Sequence, residues 1–328
     1  MEYLLMISVL VSFLLAVILI PKWISVCKKV GLLWEDMNKF GHPKTVASSG
    51  GIVVVMSFIF GVLAYVALKT FVFGGTVRAL EIFALLSMVL ILGIAGLVDD
   101  LFGWHHGGLS MKARLLLAFA ASVPLVVINA GVHSMNVPFF GVINFGIWFP
   151  LVIIPLAVAG VSTTYNFLAG FGGLEAGQGI LILGFLSFVA YVSGSPWLAV
   201  VGLCMVGALV GFYLFNRAPA KVFPGDSITY SIGALIAGMA ILGNFEKIAL
   251  IVFIPYFIEM FLKLRGGLKK HSFGVPDKRG NLKMPYDKIY GLEHLAIKIL
   301  GPGATERKVT YLIHAFQILF ILVAFLML

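Results

Sequence analysis

Residues 50–68 read GGIVVVMSFIFGVLAYVAL, without one Asp, Glu, Lys or Arg. A helix needs roughly 20 apolar residues to cross the hydrocarbon of a bilayer. This run is that long and has no polar stripe to meet water. It is one of ten. The others lie at about 3–20, 80–98, 113–130, 147–164, 177–193, 197–214, 228–243, 247–264 and 309–327. Composition agrees: the 328 residues are 61% hydrophobic and 11% charged, with a mean hydropathy of +1.07. Soluble domains lie nearer half apolar and a quarter charged. The expected fold class is all-α, a polytopic integral membrane protein of about ten transmembrane helices, with one membrane-embedded domain over 1–328. The first run follows Glu2 without a basic n-region or a small-residue cleavage site, so it reads as a retained span. Cys27 and Cys204 fall in a loop and a span, which suggests neither a disulfide framework nor a metal site.

Ten spans leave loops on alternating sides. Loops 21–49, 99–112, 165–176, 215–227 and 265–308, with their flanks, hold 20 of the 23 basic residues; the other side holds Lys69, Arg78 and Lys247. Lys and Arg concentrate on cytoplasmic loops. Both termini are therefore expected on the non-cytoplasmic side. AGVHSMNVPFFGVINFG, 130–146, has no charged residue. Any chemistry is expected at the cytoplasmic face of a prokaryotic plasma membrane or of the ER membrane.

The carboxylates fall on the same side. Asp99 and Asp100 end the third span in GIAGLVDDLFGW. Adjacent carboxylates repel unless solvated or near a cation, so the pair marks either a wet helix end or a site for a metal or cationic substrate. Asp226, in NRAPAKVFPGDSITY, reads as a helix N-cap or as a hard oxygen ligand. With the Asn166 amide it would suit Mg²⁺. Asn216, Lys221 and Phe223 precede it. YNFLAGFGGLEAGQG, 165–179, brings Gly170, Gly172 and Gly173 to the mouth of the sixth span. It reads either as close helix packing or as backbone N–H groups and a helix dipole turned to an anion. In the long loop 265–308, Arg265, Lys269, Lys270 and His271 could clamp phosphates or simply follow topology. Ile289, Leu292, Leu295, Ala296 and Ile299 recur at helical spacing among Lys288, Glu293, His294 and Lys298, as in an interfacial amphipathic helix. Asp36, Asn38, Lys39 and Lys44 are polar enough to line a site. His42, His105 and His106 have no metal-ligand spacing, and Glu259 is assigned no role.

Taken in order, SSGG before span two, VDD after span three, NFLAGFGGLEAGQ before span six, NRAPAKVFPGD before span eight and the late basic loop resemble one family. It is the polyprenyl-phosphate N-acetylhexosamine-1-phosphate transferases, and the likeness covers nearly the whole chain. The LAG·GGLEAGQ form resembles the eukaryotic and archaeal UDP-GlcNAc:dolichyl-phosphate GlcNAc-1-phosphate transferases that begin N-glycan assembly. The resemblance implies Asn166 and Asp226 as Mg²⁺ ligands, with Mn²⁺ as a substitute, and Asp99 and Asp100 as the catalytic pair. It further implies Phe223 stacking on uracil, Met37 lining the uridine pocket, and Asn216, Gly170 and Gly172 at the nucleotide. Lys112 would bind phosphate, and Lys269, Lys270 and His271 would meet the pyrophosphate and sugar. Implied partners are a UDP-N-acetylhexosamine, a polyprenyl or dolichyl phosphate in the bilayer and a second copy of the chain; no nucleic acid is expected. The chain departs from relatives at Gly172, where they carry Asn or Asp, and at Ala47, where eukaryotic members carry an acid.

The expected reaction is direct attack of the lipid phosphate on the sugar-bearing phosphorus, releasing UMP, with a side groove among the later spans admitting the lipid. Competing readings are a related bacterial cell-wall or surface-polysaccharide transferase, a secondary transporter for an anionic nucleotide or lipid, and a non-catalytic membrane scaffold.

Overall fold

A computed structural model describes residues 6–75, 78–137 and 141–328. Residues 3–5 of the first apolar run lie outside these, as do the side chains of His105 and His106. In chain order the elements are α1 (Met6–Val30), a hairpin of β1 (Leu33–Glu35) and β2 (Lys44–Ala47), α2 (Gly51–Ala67) and α3 (Ala79–His106). Then come α4 (Met111–Ala121), α5 (Val123–Val127), a hairpin of β3 (Ser134–Val137) and β4 (Gly141–Asn144), and α6 (Ile154–Tyr165). There follow α7 (Leu174–Val192), α8 (Pro196–Asn216), α9 (Asp226–Gly243), α10 (Glu246–Val252) and α11 (Ile254–Arg265). A short hairpin of β5 (Val275–Pro276) and β6 (Leu282–Lys283), α12 (Leu292–Leu300) and α13 (Glu306–Phe325) complete the chain.

Among the described residues, seven helices are long and apolar enough to cross a membrane: α1, α2 with the π-helical turn that extends it, α3, α7, α8, α9 and α13. The chain is a polytopic membrane protein. The other three apolar runs are jointed. α4 passes to α5 beside Pro124, a π-helical turn containing Pro150 leads to Pro155 in α6, and α10 passes to α11 beside Pro255. Proline lacks the N–H of the helical ladder and its ring crowds the preceding turn, so a helix tends to break or kink there.

α9 is the central helix. Of its apolar window 83% is buried, against 22% for α1 and 28% for α13. It packs on α2, α3, α6 and α7. On the periphery, Leu10, Leu14 and Ile18 of α1 and Leu319 and Leu322 of α13 face outward, as side chains turned to lipid should. A Cβ on Gly96 would lie 2.4 Å from the Asp226 carbonyl carbon, so α3 meets the start of α9 backbone to backbone. That contact carries Asp99 and Asp100, one turn later, to the mouth of α9.

The first inter-helix loop is sewn to the loop before α9. The Phe223 N–H donates to the Ala47 carbonyl at 2.8 Å, the Gly50 N–H to Phe223 O at 2.9 Å and the Gly51 N–H to Pro224 O at 2.8 Å. Ala47 is fully buried in this seam.

A helix forms in the last long loop, but its inner face differs from the apolar stripe. Leu292, Glu293, His294, Ala296 and Ile297 are buried, while Ile299 is 65% exposed. The buried polar residues have a reason. Glu259 on α11 accepts the Leu292 N–H at 2.6 Å and lies 3.4 Å from Lys263, which also bonds Ser272. Glu259, unassigned from sequence, thus staples α12 to α11. Burial raises the Glu293 carboxyl above its ordinary range, with Lys263 opposing. Burial, then the Lys263 charge, push the His294 imidazole down to about 4. A histidine held neutral contributes stability that is complete above its unfolded value of 6.5 and is lost as pH falls toward 4. Glu293 contributes with the opposite sign, so the informative quantity is a difference. The Tm of wild type minus that of His294→Gln should shrink as pH drops from neutral toward 4; a pH-independent difference would show that His294 titrates normally.

Candidate active site

Three chain segments bring the acidic residues together: the end of α3, the start of α9 and the end of α6. The Asp226 N–H donates to Asp100 Oδ1 at 2.8 Å. Asp99, 2% exposed, accepts the Leu109 N–H on Oδ1 at 2.7 Å. Arg114 grips the same carboxylate with two nitrogens, Nε to Oδ2 at 2.6 Å and Nη2 to Oδ1 at 3.1 Å. The Nη2–Oδ1 contact is the hydrogen bond of the pair, and a charge-assisted bond fixes orientation as well as charge. Asn166 Oδ1 accepts the Thr229 hydroxyl at 3.0 Å, and Thr229 also bonds Asp226 O. These groups line a cavity of about 460 Å³ that also takes in Met37, Gly170 and Phe223.

The charges do not balance. Six carboxylates, those of Glu35, Asp36, Asp99, Asp100, Glu175 and Asp226, line the cavity with one guanidinium, and Asp100 Oδ2 is buried without a hydrogen-bond partner among the described residues. Adjacent buried carboxylates are costly unless a cation offsets them. Among the described residues no group of three or more His, Cys, Asp and Glu closes a metal shell alone. A small hard cation that takes one or two carboxylates and fills the rest from phosphate and water fits this donor set.

Gly225 sets the approach of Asp226. Its φ is +70° and ψ 175°, a region that only glycine adopts freely. A Cβ there would lie 2.1 Å from Asp100 Oδ2. Gly225→Ala should therefore cost about 1–3 kcal/mol in backbone strain and displace the Asp100 carboxylate. A lowered Tm together with strongly reduced turnover is expected; unchanged values of both would contradict the backbone assignment.

The glycine loop differs from expectation. Its N–H groups are not offered to a ligand. The Gly170 N–H donates to Glu175 Oε1 at 2.8 Å, the Gly172 N–H to Glu306 Oε1 at 2.9 Å and the Gly173 N–H to Asn216 Oδ1 at 3.1 Å. Buried N–H groups require partners, and these acids and the amide supply them. Gly170 still walls the cavity, with the Phe273 ring against it. Gly172 faces away: a Cβ there would lie 2.9 Å from both Ala218 N and Glu306 Oε1. A side chain has no room at that position. Asn216 is fully buried outside the cavity and ties the loop to Val222 O at 2.9 Å. It positions the wall.

Other expected residues fall away from the cavity lining. Lys112 is exposed, whereas Arg114, two positions on, turns inward. Residues two apart on a helix face different ways, and the Ser110 N-cap, accepting the Ala113 N–H, starts this helix. Lys269, Lys270 and His271 are exposed at the same end of the bundle; the Lys270 ammonium lies 4.7 Å from the Tyr286 ring centre. From the expected polar set, Asn38 Nδ2 donates to Gly170 O at 2.7 Å, and Lys39 pairs with Glu306. Burial raises the Asp36 carboxyl, with Glu306 adding to the rise and Lys39 opposing it. Arg114, Phe273, Thr229 and Glu306 were not singled out as site residues from sequence. Arg114 carried a usable signal, since GLSMKAR starts a capped helix ten residues beyond the aspartates.

Known proteins match this sequence over most of its length. Residues 82–244 match Glycosyl transferase family 4. A protein of Saccharolobus solfataricus with the provisional name UDP-N-acetylglucosamine–dolichyl-phosphate N-acetylglucosaminephosphotransferase is 34% identical over 90% of this chain and 88% of its own. The chain belongs to glycosyl transferase family 4. A second, likewise provisionally named protein of Sulfolobus acidocaldarius is 33% identical over 97% of this family 4 chain and 94% of its own. A phospho-N-acetylmuramoyl-pentapeptide-transferase of Halalkalibacterium halodurans is 28% identical over 79% and 81%. The family match contains Asp99, Asp100, Asn166 and Asp226, and so spans the acidic half of the cavity.

Proposed function

We propose that this chain transfers GlcNAc-1-phosphate from UDP-GlcNAc to a polyprenyl phosphate of the dolichyl type, releasing UMP at the cytoplasmic face as the first membrane step of N-glycan assembly. The observation that carries this reading is the cavity itself. Uncompensated carboxylates at the head of α9 stand beside Met37 and Phe223, in a chain whose archaeal relatives bear that name. Asp226 and Asn166, with Asp100 Oδ2 beside them, would hold Mg²⁺. When bound, the ion supplies charge neutralisation for a diphosphate and for the negative charge that grows on departing UMP.

The chain's own residues do the rest. Phe223 and Met37 take the uracil and hold the nucleotide against the Gly170 wall. Asp99, aimed by Arg114 and the Leu109 N–H, orients the lipid phosphate and accepts its proton when it arrives protonated. A phosphate oxygen of the lipid then bonds to the sugar-bearing phosphorus. The bond from that phosphorus to the UMP oxygen breaks, and UMP leaves with the electron pair. A transporter reading fits less well, because the acids gather in one cavity at one end of the bundle rather than at mid-depth.

The test is UMP release from UDP-GlcNAc by the purified protein, with and without polyprenyl phosphate, in Mg²⁺ and in EDTA. Release that needs both lipid and Mg²⁺ is expected. Lipid-independent transport of the nucleotide across vesicles, without UMP release, would refute the reading. Running UDP-GalNAc and UDP-N-acetylmuramoyl-pentapeptide alongside separates it from the cell-wall reaction.

A further inference from the structure

Behind the glycine loop lies a second, smaller recess of about 150 Å³, lined by Gly172, Arg217, Ala218, Arg307, Thr310 and a neighbouring tyrosine pair. Ligand pockets for whole organic molecules start near about 300 Å³, so this one suits a single small group. Arg307 Nε donates to the Ala218 carbonyl at 2.7 Å, which fixes the guanidinium and leaves its two terminal nitrogens for another acceptor. The Arg217 side chain has neither an ion pair nor a hydrogen bond within the described residues. Glu306, next to Arg307 in the chain, is already engaged by Lys39 and the Gly172 N–H. The recess therefore holds two guanidiniums and no free carboxylate.

We propose that this recess binds one phosphate group, clamped between Arg217 and Arg307, as a site separate from the catalytic cavity. Planar guanidiniums match phosphate oxygens in pairs. Topology accounts for cations at this end of the bundle, but not for two guanidiniums without carboxylates walling one recess. The recess is also tied to the active site. Gly172 N–H is held by Glu306 and its carbonyl by Thr310, while Gly170, two residues earlier, walls the catalytic cavity. A phosphate in the recess sits behind the same turn and braces it. The group can come from free phosphate or from an anionic lipid headgroup; Tyr311, 57% exposed on the lining, stands where a headgroup would enter.

The experiment is phenylglyoxal labelling of the full chain, read arginine by arginine by mass spectrometry. One arm compares inorganic phosphate with chloride at equal ionic strength in neutral detergent. The other compares nanodiscs of phosphatidylcholine with nanodiscs containing phosphatidylglycerol. At about 90% occupancy, labelling of Arg217 and Arg307 should slow about tenfold by mass action, while exposed Arg279 is unaffected. Protection by phosphate alone assigns a soluble ion, and protection by phosphatidylglycerol alone assigns a headgroup. No selective protection in either arm overturns the proposal. Arg217→Gln breaks no ion pair or side-chain hydrogen bond among the described residues, so it should fold normally and lose the protection of Arg307. Full protection of Arg307 in that variant would overturn the two-arginine clamp.

Discussion

Asp226→Asn is expected to abolish turnover while leaving the fold intact. The substitution keeps the side-chain shape and the backbone N–H bond to Asp100. It removes one of six carboxylates that line the cavity with Arg114. With fewer like charges to repel, the protein should melt at the same temperature or higher without metal. Catalysis should suffer by several kcal/mol, about 10²–10⁴-fold in kcat, the scale on which a metal ion stabilises transition-state charge. The Mg²⁺ concentration for half-maximal rate should rise as well. The loss of turnover is diagnostic: Gly225 holds the N-cap position of α9, and Asn caps a helix as well as Asp, so a carboxylate that merely capped the helix would keep both stability and activity as Asn. Near-normal turnover by Asp226→Asn would remove this residue from the metal site.

Asp99→Asn should also silence the enzyme, by about 10²–10⁴-fold, the range of positioned proton transfer. Here stability should fall too, because the variant leaves the Arg114 guanidinium without its carboxylate. Breaking a buried pair costs about 3–5 kcal/mol, and Arg114 is 34% exposed, which places this case below that range. Adding Arg114→Gln to Asp99→Asn should restore much of the Tm and none of the turnover. Recovery of turnover in the double variant would make Asp99 a partner for Arg114 and nothing more. A sugar-phosphate trapped on the Asp99 carboxylate would replace direct attack by a covalent route.

Much of the site was legible in the sequence, and particular residues show why. Asp99, Asp100, Asn166, Asp226, Met37, Gly170 and Phe223 all line one cavity, and each stands beside a span end in the chain. Apolar runs force loops to their ends, so polar residues in those loops had few places to go. The expected residues that stand outside the lining differ in direction. Lys112 and Arg114 differ by two residues, and only the capped start of α4 decides which turns inward. Lys269, Lys270 and His271 sit on a loop whose path depends on the β5–β6 hairpin and on the staple from Glu259.

The glycine loop shows the same division. Its composition marked a pliable wall at a helix mouth, and the wall is there. Its N–H groups looked available to an anion, yet Glu175, Glu306 and Asn216 occupy them. Two of those partners are 43 and 134 residues distant in the chain. By itself the sequence determined the membrane fold, the grouping of acids at loop ends and the family resemblance, because hydrophobicity and motif order are written locally. Tertiary structure alone decided which donors stay free, which cation meets Asp99 and which polar residues are buried. Those outcomes depend on where a side chain points and on partners that only packing brings within hydrogen-bond reach.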